Sequence, residues 1–194
     1  PIKSSAASDV YKRQHLSFPA IFRKDDKIYI YPENSAEGHI VVYEFDEKSN
    51  NLKPHKILHN EPLTDASLET CFNSFHLFTT KLPVQNGNQL FIYQSEKWDG
   101  EYHPIQTMEF PSNTGRNAGS LFRLNGKIIR PAQDCNGAYG KGLVFYEISY
   151  TEGTFEMKEL KRIYPQHTIY DQGMHTFNVY NNPVSYTHLT LPTT

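Results

Sequence analysis

Three carboxylates, Glu33, Asp65 and Asp134, recur at the margins of short apolar runs, together with Arg116, Arg130, Gln133 and His175. Two carboxyls facing one sugar, one protonated and one ionised, are the equipment of a glycosidase. Arginine offers a two-pronged fork for a sugar carboxylate or phosphate. With the amide of Gln133 and the imidazole of His175, the set suits a polyhydroxylated ligand bound between several elements. Each residue also has a plainer reading. Asp65 can cap a turn through an Asx hydrogen bond. Either arginine can be the buried partner of Asp65 or Asp134, and a lone His175 is more often a hydrogen-bonded core residue than a metal ligand. No metal and no cofactor are expected. Gly137, Gly140 and Gly142 in NGAYGKG imitate a nucleotide loop, but no crossover helix follows, so a blade hairpin is expected there.

The elements that must position these groups are strands. PAIFRK, KIYIYP, HIVVYEF, FHLFTT, QLFIYQ and LVFYEI alternate apolar and polar residues between turn clusters such as KDD, QNGN, LNG and TEGT. No amphipathic helix of three turns is visible. Segments opening at Phe18, Asp65 and Ala118 align at spacings of 47 and 53 residues, each followed by a third and a fourth strand, and a further repeat opens at Met174. Four antiparallel strands recurring at roughly 50 residues mark β-propeller blades. In a blade the first strand lines the axis and the second returns beside it. Residues just before the first and just after the second therefore meet on one face. That face is expected to collect His15, Ser17, Asp65, Arg116, Asn117 and His175 from one set. Glu33, Asn34, Thr80, Lys81, Arg130, Gln133 and Asp134 form the other.

The two ends read differently. SSAASDVYKRQ, Ser4 to Gln14, is a transposase sequencing adapter translated in frame, and VSYTHLTLPT, Val184 to Thr193, is its reverse complement. Residues 1–14 and 184–194 are therefore expected to be adapter-derived, with 15–183 a partial propeller domain. The chain carries 19 basic and 21 acidic residues. Setting aside Lys3, Asp9, Lys12 and Arg13 leaves 16 against 20 for the insert, a net charge of −4. With no basic cluster, nucleic acid is not an expected partner, and no apolar run approaches a membrane span. Cys71 and Cys135 match no metal or redox spacing, and free buried thiols suit a reducing compartment such as the cytoplasm. A ring cut through its blades would leave apolar faces uncovered, so instability in isolation is expected.

HLSFP, IYIYPEN, TDASL, GRNAGSLFRLNGKIIRPAQDCNGAYG and GMHTFN resemble the propeller domain at the N-terminus of glucosamine inositolphosphorylceramide transferases, across nearly the whole insert. RPAQDC and HTFN are the most specific parts. The resemblance implies an incomplete five-bladed propeller of the arabinanase, xylosidase and invertase type, about three blades of four antiparallel strands, with ring sequence before His15 and after Asn182. It also implies that sugar transfer belongs to a separate C-terminal domain outside this chain. Glu33, Asp65, Arg116, Arg130, Gln133, Asp134 and His175 carry over as ligand-facing positions. TGRNAG departs from the family's SxRPAG and loosens the turn before Asn117.

Three functions follow. The first is a glycan-recognition or accessory propeller of a larger sugar-modifying enzyme, taking a carbohydrate or glycan-like molecule, with an acidic or amino-sugar glycan the expected class. The second is a glycoside hydrolase-like enzyme using Glu33, Asp65 or Asp134. The third is a noncatalytic protein-interaction propeller. Carboxylates each locked to an arginine would count against the second.

Overall fold

The computed structural model describes residues 17–33, 35–166, 171–179 and 184–189. Among them, apart from one 3-10 turn at Ser35–Glu37, all regular structure is β. Residues 1–64 and 65–194 form two compact units. The first unit holds a meander of β1 (Ser17–Lys24), β2 (Lys27–Glu33), β3 (Ile40–Asp46) and β4 (Asn51–His59). Its aromatic residues pack on one another: Phe22 stacks on Tyr29 with ring centroids 5.4 Å apart, and Tyr29 meets His55 at 5.0 Å.

The second unit carries β5 (Leu63–Cys71, beginning at the unit boundary), β6 (Ser74–Lys81), β7 (Gln89–Ser95) and β8 (His103–Glu109) as one sheet. The next sheet is β9 (Phe122–Leu124), β10 (Lys127–Asp134), β11 (Gly142–Thr151) and β12 (Thr154–Ile163). A pair, β13 (Gly173–Val179) and β14 (Val184–Leu189), follows. All six strand runs read from the sequence are strands. The three repeats fall on three four-stranded antiparallel sheets, and Met174 lies in the pair that opens a fourth. β14 lies in the stretch read as adapter-derived. Its residue types are strand formers, and a free edge such as that of β13 templates any such segment.

Turn chemistry explains the repeated hairpin. The two central residues have positive φ in each first-to-second-strand turn: Asp25 and Asp26 (49° and 61°), Phe72 and Asn73 (51° and 61°), Asn125 and Gly126 (50° and 78°). Paired positive φ is the turn whose twist matches that of the flanking strands. Asp, Asn and Gly tolerate that region; a phenylalanine incurs about 1–2 kcal/mol there. Phe72 is compensated across the seam, where its ring lies 5.2 Å from Tyr150 and 5.7 Å from Phe155 of the next sheet.

That seam is the main core of the second unit. Phe78, Leu90, Ile92 and Phe110 face Ile128, Val144, Tyr146 and Phe155, all buried. Gln106 bridges the seam twice, Nε2 donating to the Phe155 carbonyl (2.9 Å) and Oε1 accepting from its amide (2.8 Å). A second cluster, Ala118, Leu143, Met174 and Phe177, packs β13 on the third sheet.

Two titratable groups sit in the seam with opposite effects. Glu69 on β5 accepts from Ser67 Oγ and from the Leu121 amide (2.8 Å), beside a cavity of about 110 Å³ that Cys71 and Arg123 also line. Burial pushes its carboxyl up to about 7 from an ordinary 4.5. The folded state therefore binds a proton between pH 4.5 and 7 that the unfolded chain releases. This contribution to stability is full below pH 4.5 and is lost as pH rises through 7. His76 is fully buried against Phe155 (5.0 Å), and burial holds it below its ordinary 6.5. Its contribution is present above pH 6.5 and falls away in acid. Glu69→Gln isolates the first effect. The melting temperature of the variant minus that of the parent should rise from pH 4.5 to 7 and then level off. A difference that does not vary with pH would show that Glu69 titrates normally.

Candidate functional site

Within the second unit, four of the expected residues converge. Asp65 sits on β5 with φ 43°, a left-handed conformation that Asp tolerates better than most residues. The bend faces its carboxyl toward the third sheet. Arg116 Nε donates to Asp65 Oδ2 at 2.5 Å, and Gln133 Nε2 donates to the same oxygen at 2.8 Å. Arg116 also donates through Nη1 to Asn86 Oδ1 (2.8 Å), and its guanidinium lies 4.9 Å from the ring centroid of Tyr139. His175 on β13 is half-buried with its ring 5.8 Å from Tyr139. Burial, and then the charge of Arg116, holds its imidazole below the ordinary range.

The backbone delivers these groups by an extension of the third sheet. Asn117 bridges Ala132, the Ala118 amide donates to the Pro131 carbonyl (3.0 Å), and the Gln133 amide donates to the Arg116 carbonyl (2.9 Å). Asn117 then joins the sheets. Its Nδ2 donates to the carbonyls of Asp65 (2.9 Å) and Phe78 (2.8 Å), and its Oδ1 accepts from Arg130 Nε (2.8 Å). The Asn117 side chain thus ties the turn that carries Arg116 to both sheets.

Arg130 is fully buried. Its donors go to Asn117 and to the carbonyls of Thr114 and Gly115, and its guanidinium lies over Phe110 (5.4 Å) and Tyr146 (5.9 Å). Burial pulls its pKa down to about 9. Asp134 is buried too. It accepts from the Asn136 amide (2.9 Å), Asn136 Nδ2 (2.6 Å), Tyr164 Oη (2.8 Å) and Arg162 Nη1 (3.0 Å). Burial raises its pKa, but donors from Asn136, Tyr164 and Arg162 hold it below the ordinary value.

Glu33 ends β2 in the first unit, where its Oε1 accepts from Ser35 Oγ (3.1 Å). Lys81 lies over the Phe91 and Tyr93 rings. His15, Asn34 and the side chain of Ser17 fall outside the described residues. Sequence reasoning missed Asn86, Tyr139 and Arg162. Tyr139 lies in the NGAYGKG loop, whose Gly137 (φ 84°) and Gly140 (φ 58°) bend the chain around it. An aromatic residue among glycines was the available signal. Both cysteines are free and buried. Among the described residues, no three His, Cys, Asp or Glu side chains converge as a metal site requires.

The chain is similar to known proteins in sequence and in fold. The pattern described as "Glucosamine inositolphosphorylceramide transferase 1, N-terminal" matches residues 7–183. The transferase of that name from Oryza sativa subsp. japonica is 30% identical over 142 residues, covering 69% of this chain and 19% of the rice protein. The Arabidopsis thaliana protein is 28% identical over 134 residues, covering 66% and 18%. The chain thus spans about a fifth of these curated relatives. Among solved structures, an exo-β-1,3-galactanase from Phanerochaete chrysosporium superposes with a TM-score of 0.56 at 13% identity, covering 72% of this chain and 35% of that one. The protein titled "Bacteroides ovatus Xyloglucan PUL GH43B" gives 0.59 at 14%, covering 90% and 36%. These likenesses establish the fold: an incomplete five-bladed β-propeller of the glycosidase type, represented here by about three blades.

Proposed function

The chain belongs to the glucosamine inositolphosphorylceramide transferase 1 N-terminal family and carries its sugar-related propeller, and on that premise we propose that it recognises a glycan for a larger sugar-modifying enzyme. The observation that carries this reading over hydrolysis is the state of two of the three candidate carboxylates, Asp65 and Asp134. Asp65 is held by Arg116 and Asp134 by Arg162, with side chains only 3% and 2% exposed. An acid that protonates a leaving group needs a raised pKa and access to the sugar; Asp134 is enclosed and its pKa is lowered. The polar groups at Asp65, with Tyr139 and His175 beside them, supply the few convergent contacts of a binding site. Arg130 and Asp134 serve this site from behind, one bracing the 114–117 turn and the other the loop that carries Tyr139.

Residues 184–194 are read as foreign to the domain, which fits a family match ending at residue 183; that match begins at residue 7, inside the leading stretch of 1–14.

The test pairs binding with turnover. The chain should retain immobilised oligosaccharides while releasing no aryl alcohol from a panel of aryl glycosides. Hydrolysis that disappears in Asp134→Asn would replace recognition with catalysis.

A further inference from the structure

In the second unit, β8 and β12 are each the last strand of a four-stranded sheet, and residues of both line a groove of about 550 Å³. Gln106 of β8 meets the edge of β12 at one point in this groove. Its side chain donates to the Phe155 carbonyl (2.9 Å) and accepts from the Phe155 amide (2.8 Å), the two bonds a neighbouring strand would make. Phe155 lies opposite Tyr150, next to the hairpin turn that Thr151 and Thr154 flank. In an antiparallel ladder, outward-facing backbone groups recur at every second residue, so the N–H and C=O of Met157 turn the same way as those of Phe155. Among the described residues, no side chain meets Met157 as Gln106 meets Phe155. The edge of β12 is therefore open to a strand where the groove runs.

The lining says what kind of strand fits. Met108 and Met157, both partly buried, give the groove an apolar floor beside Phe110. Methionine is unbranched and polarizable, so it adapts to varied apolar side chains. Glu109, Glu156 and Glu159 are exposed along the same groove, and among the described residues no lysine or arginine lines it. Glu109 accepts from the neutral amide of Gln89 (2.8 Å). Glu159 shares Arg162 with Asp134, one guanidinium between two carboxylates. The groove thus keeps a net negative charge over an apolar floor. Its complement is an extended segment that alternates basic and apolar side chains, because successive residues of a strand point to opposite faces.

We propose that this groove binds an extended basic segment of a partner protein, which adds as a strand to the edge of β12, seats its apolar side chains on Met108 and Met157, and sets its lysines or arginines against the glutamates. The surface is distinct from the cluster at Asp65 and does not rest on the glycan reading.

The probe is a short peptide alternating lysine and valine, read by methyl NMR of the chain labelled at its three methionines. Saturable shifts at Met108 and Met157, with Met174 unmoved in its own cluster on β13, and slowed hydrogen exchange at the Met157 amide support the inference. Methylating the backbone nitrogens of the peptide should weaken binding at least about tenfold, because the added strand loses its donors. Glu109→Lys combined with Glu156→Lys should weaken it by about tenfold as well. The methylated peptide keeps the test decisive even if that double variant does not fold. Equal binding of a glutamate–valine peptide overturns the inference, as does a lysine–valine peptide that leaves Met108 and Met157 unmoved. Shifts produced by a neutral oligosaccharide and not by the peptide would overturn it in favour of a glycan subsite. Shifts that follow chain concentration alone would overturn it in favour of a second copy of this chain.

Discussion

Asp65→Ala is expected to lower the stability of the second unit by about 3–5 kcal/mol, the cost of leaving one member of a buried ion pair without its partner. Arg116 would keep its charge at 12% side-chain exposure without its carboxylate partner, beside Asn86 and the face of Tyr139. Gln133 Nε2 would retain the Asn117 carbonyl alone of its two partners. The backbone adds to the loss, because alanine tolerates φ 43° less well than aspartate. Asp65→Asn keeps an acceptor and the tolerance of that conformation, so it should cost less. Pairing Asp65→Ala with Arg116→Met removes the stranded cation, and the double variant should be less destabilised than the sum of the singles. Urea denaturation measures the four variants and the parent. A shift in midpoint equivalent to under about 1 kcal/mol for Asp65→Ala would mean that the pair is solvent-screened like a surface bridge.

Gly119→Ala should be comparably severe by a different route. Gly119 has φ +152°, in a region that side chains rarely adopt, and a Cβ there would lie 2.1 Å from the Phe177 carbonyl oxygen. That oxygen is backbone and cannot swing away. Its strand is held close by the Phe177 amide, which donates to the Ala118 carbonyl at 2.6 Å. Strained backbone alone costs about 1–3 kcal/mol, and relieving the clash means lifting β13 away from Ala118 and Leu143. We expect hydrogen exchange at the Met174 and Phe177 amides to accelerate toward that of an undocked strand, while β5–β8 stay protected. Gly126→Ala is the control. Its φ is +78° with open space around the added Cβ, so it should lose only about 1 kcal/mol and leave β13 protected. Equal effects from the two substitutions would show that the close approach at Gly119 carries no weight.

The legible part of this protein was its local part. Alternation in KIYIYP and QLFIYQ marks strands because side chains on an extended chain point to opposite faces in turn. KDD and LNG mark hairpins because few residues accept paired positive φ. CFNS was not legible as a turn, since Phe72 is a poor residue there by every local rule. Rings from the neighbouring sheet compensate it. The expected meeting of first-strand and second-strand residues holds for Asp65, Arg116 and Gln133, because the repeat register puts them at equivalent blade ends.

Which polar group would engage which was decided elsewhere. Asp65 lies 51 residues from Arg116 and 68 from Gln133, and no short-range pattern encodes such a pairing. Sequence treats Arg116 and Arg130 as equals. In the fold, one reaches a carboxylate at the rim, and the other is enclosed on carbonyls and two aromatic faces. The sequence by itself determined the strands, the turns marked by Asp, Asn and Gly, the blade repeat and the family. Tertiary structure alone decided which charges are cancelled and which are enclosed, because the cost of a buried polar group depends on burial, and burial exists only once the sheets have packed.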